Sequence, residues 1–172
     1  MISRSITFLA LGALLLAPAA AHGATKGTDT SSGVWLGGLF GAELGDYDGY
    51  QLRFDAEVPV TRPSPQLQVS GVLSASWAGL SSDVGVFELV PAARLTWFGA
   101  PKWGAYGDLG LGYAHASRNG SGTSGATMRI GGGVFYSLSP NARVVTELAL
   151  HPHFGDYDAF TTTIMIGIKF GI

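Results

Sequence analysis

The chain has no cysteine, and Asp, Glu, Lys and Arg together supply only 13% of its 172 residues. Without cysteine no disulfide can staple the fold, and no lipid-modified cysteine can anchor a mature N-terminus. A charged fraction so low is about half of what a water-soluble domain carries. The net charge of −2 speaks against nucleic acid as a partner. Long hydrophobic runs are missing too. The longest, at 6–17, is too short to span a bilayer as a helix and is followed at once by Pro18. No later segment offers 18 consecutive apolar residues, so no transmembrane helix is expected.

What is present narrows the choice. Arg4 precedes the apolar run, and Ala19 and Ala21 fit an A-x-A cleavage site, so residues 1–21 read as a secretory signal peptide. Residues 22–32 read as a flexible N-terminal segment, and 33–172 as one domain. That domain is rich in glycine (26 in the chain), and 47% of the chain is hydrophobic. A secreted, apolar chain without spanning helices points to a closed barrel, the other structure that satisfies every backbone group in lipid.

Such a barrel requires segments of about ten residues with period-two alternation, separated by turns. Eight can be written: 33–44, 49–60, 66–79, 84–98, 104–117, 126–138, 142–153 and 159–172. In the second, Tyr50, Leu52, Phe54, Ala56 and Val58 share one parity and Gln51, Arg53, Asp55 and Glu57 the other. In the last, Phe160, Ile164, Ile166, Ile168 and Phe170 oppose Thr161, Thr163 and Lys169. The charges Glu43, Arg53, Asp55, Glu57, Glu88, Arg94, Asp108, Arg129, Arg143, Glu147 and Lys169 all fall on the polar parity. Parity alone leaves a soluble β-sandwich or lipocalin-like barrel open. The polar face is small, however, and the apolar face carries more large aliphatics than an eight-strand interior can hold. The expected fold is therefore all-β, an eight-stranded antiparallel up-and-down transmembrane barrel. Trp77, Trp97, Tyr50, Phe160 and Phe170 lie near segment ends, as interfacial girdles do.

With both termini in the periplasm, the inner turns are "TRPSP", "GAPKW" and "SPN", and the outer loops "GDYD", "LSSDV", "RNGSGTSG" and "HFGDYD". The first and last outer loops are near-copies, and barrel closure makes them neighbours. Asp46, Asp48, Asp156 and Asp158 are therefore a candidate weak Ca²⁺ or Mg²⁺ site, against the simpler reading that Gly and Asp are good turn formers. Six acids and five bases in one narrow lumen must pair, because an unpartnered charge in a dry interior costs ~3–5 kcal/mol. A salt-bridged, non-conducting plug is expected, with a small narrow pore as the alternative.

Strand count, alternation and the terminal "TTTIMIGIKFGI" resemble the small eight-stranded outer-membrane β-barrel family, the OmpA/OmpX-like group. The resemblance implies the outer membrane of a Gram-negative bacterium and a structural or envelope role. It also implies contact with outer-membrane lipid and lipopolysaccharide, and insertion by the barrel-assembly machinery. A monomer without cofactor is expected. "HASRNG" is similar to the H-x-S-N motif of outer-membrane lipid A 3-O-deacylases, which implies Ser117 as nucleophile and His115 as base. Arg118 interrupts that motif before Asn119, and Thr127, Arg129 and Gly131 stand where the acid is expected, so a non-enzyme is the primary expectation. His151 and His153, with Asp156, offer imidazoles for a transition metal, although Pro152 between them reads as a strand end.

Overall fold

Alternation with period two lets a strand show different chemistry on its two faces. The computed structural model realises it throughout. It describes residues 33–156 and 158–172; the expected signal peptide, the 22–32 segment and Tyr157 lie outside the described residues. Eight strands follow one another: β1 (Trp35–Gly45), β2 (Gly49–Ser64), β3 (Leu67–Leu80), β4 (Val84–Phe98), β5 (Trp103–Arg118), β6 (Ser121–Ser139), β7 (Ala142–Gly155) and β8 (Ala159–Gly171). A single 3-10 turn, Ser81–Asp83, joins β3 to β4. Each strand pairs antiparallel with the next, and β1 pairs with β8 from Trp35↔Gly171 to Gly45↔Thr161, so the sheet closes on itself without an edge.

The closed sheet settles which face is inside. Arg53 is 1% exposed, whereas its neighbour Phe54 is 60% exposed. Phe40, Leu73, Leu111, Ile164, Ile166 and Ile168 also point outward, and the eleven charges of the polar parity are all buried, while Arg62 and Arg118 at strand ends are exposed. A soluble barrel has the reverse arrangement. A continuous outward belt of Leu, Ile and Phe has hydrocarbon as its natural solvent. Aromatic side chains flank the belt. Tyr50 packs edge-on against Trp77 at 5.6 Å near one end, and Trp103 meets Tyr136 at 4.8 Å near the other.

Both ends are tight. The connections at 46–48, 81–83, 119–120 and 156–158 lie at the far end, opposite the end that carries Trp35 and Gly171. The stretch expected as the longest outer loop, "RNGSGTSG", is instead mostly strand. β5 runs to Arg118, β6 starts at Ser121, and Asn119 (φ 48) and Gly120 (φ 82) form the turn. Positive φ at both central residues is the type I′ geometry that Asn-Gly favours, because its twist matches that of the strands. "TRPSP" is likewise largely the end of β2, where register shifts between Pro59 and Ser64 accommodate its prolines. Pro91, in the middle of β4, makes no bulge. The β4–β5 ladder skips the pairs between Leu89↔Tyr113 and Ala92↔Gly110 and then resumes in the same register. The missing proline N–H thus faces β5, where no partner is required of it.

Candidate functional site: the filled lumen and the far rim

Inward parity places the charged side chains in a tube only about as wide as they are long. Arg53 donates two hydrogen bonds to Glu147, at 2.5 and 2.7 Å, and lies 3.0 Å from Asp55. Tyr106 adds its hydroxyl to Glu147 at 2.8 Å. Arg94 joins Asp108 at 2.5 Å and Glu57 at 2.9 Å, while Lys169 reaches both Asp55 and Glu57 at 3.1 Å. Arg129 donates to Ser74 at 2.7 Å and lies 3.3 Å from Asp108. Ser74 in turn donates to Asp55 at 2.8 Å. Four bases and four acids thus interlock. All eight are buried, so their attraction is barely screened.

The remaining three expected network members stand elsewhere, which corrects the picture of one continuous cluster. Glu88 accepts from Ser76 at 2.7 Å, Gln51 at 3.1 Å and Thr127 at 3.3 Å, and His151 Nδ1 lies 3.3 Å from it. His153 Nε2 is 3.7 Å from the same carboxylate. Glu43 is buried on the same side of the lumen. Arg143 sits at the terminal end, its guanidinium 3.9 Å from the Trp35 ring centroid, 4.7 Å from Phe135 and 5.4 Å from Phe98. The division follows from strand order. Glu43 and Glu88 lie toward the far ends of β1 and β4, and Arg143 opens β7.

The lumen is therefore layered. An apolar cap of Leu80, Val84, Val86, Ala116 and Ala159, with Tyr47 packed against it, closes the far end. The Glu88–histidine layer comes next, then the ionic layer. An apolar layer including Leu39, Tyr106 and Phe135 lies next to the aromatic cradle of Arg143. Tyr106, Gln51, Ser74, Ser76 and Thr127 are functional partners that charge counting missed. Gln51, Tyr106 and Thr127 share the parity of the charges on their own strands, Arg53, Asp108 and Arg129, and Ser74 and Ser76 stand on the polar parity of β3.

At the far rim the repeated phrase acquires a mechanical role. Asp46 accepts a hydrogen bond from the Phe160 backbone N–H at 2.8 Å, and its own N–H donates to the Phe160 carbonyl at 3.1 Å. Asp48 accepts from the Gly45 N–H at 3.2 Å. Gly45 (φ 145) and Gly155 (φ 104), which open the two copies, both adopt backbone that favours glycine. The first copy thus clasps the seam between β1 and β8. No group of three or more His, Asp or Glu side chains among the described residues is arranged to hold a metal ion, at the rim or around His151 and His153. Asp46→Ala is expected to lower stability by about 1 kcal/mol, the usual worth of one such bond. Asp156→Ala should stay within about 0.5 kcal/mol. Urea unfolding in detergent micelles compares them, and equal losses would deny the clasp.

His115 and Ser117 both face outward, as expected, but they do not pair. His115 Nδ1 is 2.9 Å from the Ser124 hydroxyl, which also meets the Tyr113 hydroxyl at 2.7 Å, while Ser117 donates to the Gly85 carbonyl at 3.4 Å. The geometry of a sheet explains it. His115 and Ser124 are directly opposed across β5 and β6, whereas residues two apart on one strand are farther from each other than such a pair.

No protein-family model and no curated protein matches the chain. Solved structures do. Neisserial surface protein A superposes with a TM-score of 0.62 at 13% identity, covering 81% of this chain and 96% of its own. The outer membrane enzyme PagL gives 0.57 at 15% identity, covering 80% and 99%. The attachment invasion locus protein Ail of Yersinia pestis gives 0.54 at 17% identity, covering 81% and 97%. Identities this low speak for shape alone. The chain has the eight-stranded transmembrane β-barrel fold of small outer-membrane proteins.

Proposed function

We propose that this protein is a monomeric, non-enzymatic component of the outer membrane of a Gram-negative bacterium. Its role is structural, and its lumen is closed to ions. One observation carries the reading: the interior is filled from end to end. A balanced ionic layer lies between an apolar cap at one end and Arg143 in its aromatic cradle at the other. An ion entering would have to separate pairs already made at 2.5–3.1 Å and lose its own water to do so. The aromatic girdles seat the barrel in lipid, with lipopolysaccharide around the far half, and insertion would pass through the barrel-assembly machinery. In planar bilayers the purified protein should show no steady openings. Stable steps of porin size would refute the closed lumen.

The likeness to the outer membrane enzyme PagL, beside the H-x-S-N resemblance of "HASRNG", raises a hydrolase as a second reading, and one contact bears on it. His115 is engaged by Ser124 rather than Ser117, so the expected nucleophile lacks its base. Lipid A deacylation by wild type and Ser117→Ala, run side by side, tests this. Activity lost in the variant would make the protein an enzyme. The complex of Ail with a heparin analogue suggests a polyanion partner. Here Asp46, Asp48, Asp83, Asp156 and Asp158 face a single base, Arg118, at the far end, which disfavours one.

A further inference from the structure

The far mouth holds a half-open cleft of about 340 Å³ that the closed-lumen reading does not use. Its floor is Val84 and Ala116, members of the apolar cap, and Tyr47 forms one wall. Along its rim stand Arg118 and the hydroxyls of Ser117 and Ser121. The cleft is thus divided by chemistry: apolar below, cationic and hydrogen-bonding above. Its size lies at the small end of ligand pockets. Arg118, the last residue of β5, is the one Lys or Arg at the far end among the described residues, and the fold delivers it to this cleft.

We propose that the cleft binds a free single-chain carboxylate, a fatty acid of medium length. Its apolar body rests on Tyr47, Val84 and Ala116, and its head accepts from Arg118. The charge pattern selects one acidic head. Five aspartates at the same end repel a polyanion, while one guanidinium in the cleft provides a charge-assisted bond to one carboxylate. Bilayer lipid is the wrong source. The apolar floor, Val84 and Ala116, faces the lumen, on the opposite side of the wall from the outward belt of Leu109 and Leu111, and outward-facing Ser117 only borders the cleft at its rim, so the ligand arrives from water. The volume suits a chain of about ten carbons better than a two-chain lipid.

The test uses the full barrel in lipid nanodiscs, titrated calorimetrically with decanoate below its micellar concentration, with empty nanodiscs as the blank. Wild type should bind decanoate saturably. Arg118→Gln should weaken it by about tenfold, the worth of one charge-assisted contact. Decanol, which lacks the charge, should bind wild type no better than decanoate binds that variant. Ala116→Leu, which fills the floor, should abolish saturable binding. A shift between heated and unheated samples on gels verifies that each variant is folded. Uptake equal to that of empty nanodiscs, or equal in wild type and both variants, would mean membrane partition only and overturn the site. The outcome is independent of conductance, so a leaky lumen and an empty cleft are separate failures.

Discussion

Arg53→Leu is expected to destabilise the barrel by ~3–5 kcal/mol, because it strands Glu147 and Asp55 in an interior without water to replace the lost charge. Arg53 is 1% exposed and contributes both terminal guanidinium nitrogens, Nη1 and Nη2, to Glu147. In the variant, Glu147 keeps Tyr106 at 2.8 Å and Asp55 keeps Lys169 at 3.1 Å, but the charge count of the layer moves from balance to an excess anion. Adding Glu147→Leu restores the balance and should recover a large part of the loss, since an apolar pair of similar volume often replaces a buried ion pair at little cost. Equilibrium unfolding in urea with lipid vesicles, read by tryptophan fluorescence, gives the full cycle. A double variant as unstable as the sum of the singles would mean that the pair does not act as a unit.

That layer also shows how far the sequence could be read. Parity identifies the eleven inward charges, since a strand has only two faces and the outward one excludes charge at membrane depth. Partner choice was not legible. Arg53 and Glu147 are 94 positions apart and meet only because tilt and stagger bring β2 and β7 across the lumen at one level. The same stagger separates Glu43 and Glu88 from the bases and leaves them with Gln51, serine, threonine and the two histidines. The Asn119–Gly120 turn is legible in the dipeptide, which specifies a two-residue hairpin, although the serines and glycines around it read as a loop. Closure alone makes the first and last connections neighbours, as the β1–β8 pairing up to Gly45↔Thr161 has them. Sequence could not show that one copy would spend a carboxylate on the opposite strand's backbone.

Gly133→Ala is expected to cost about 2–3 kcal/mol, an unusually large effect for one added methyl group. "GGG" at Gly131–Gly133 has one outward glycine, Gly132, between two inward ones. Gly133 is paired with Tyr106 on one side and Glu147 on the other. The Tyr106 hydroxyl bonds Glu147 at 2.8 Å, so that contact passes over the bare backbone of β6. A Cβ at Gly133 would press hardest on the Thr146 carbonyl oxygen of β7 and lie 2.8 Å from the same hydroxyl oxygen, both inside the closest approach of real side chains. The β7 backbone at Thr146 and the Tyr106 ring must then both shift, at an overpacking cost of ~1–3 kcal/mol, and the ring's bond to a buried carboxylate is strained or lost, adding about 1 kcal/mol more. Gly132→Ala is the control. Its Cβ would point outward, with the Tyr106 carbonyl oxygen at 3.1 Å as its nearest neighbour, and its cost should stay below about 1 kcal/mol. The two variants change the same atoms one residue apart, so the difference in their urea midpoints isolates the face. Equal midpoints would mean that the glycines serve backbone curvature, whereas a gap of the expected size makes Gly133 the space through which β5 and β7 join hands.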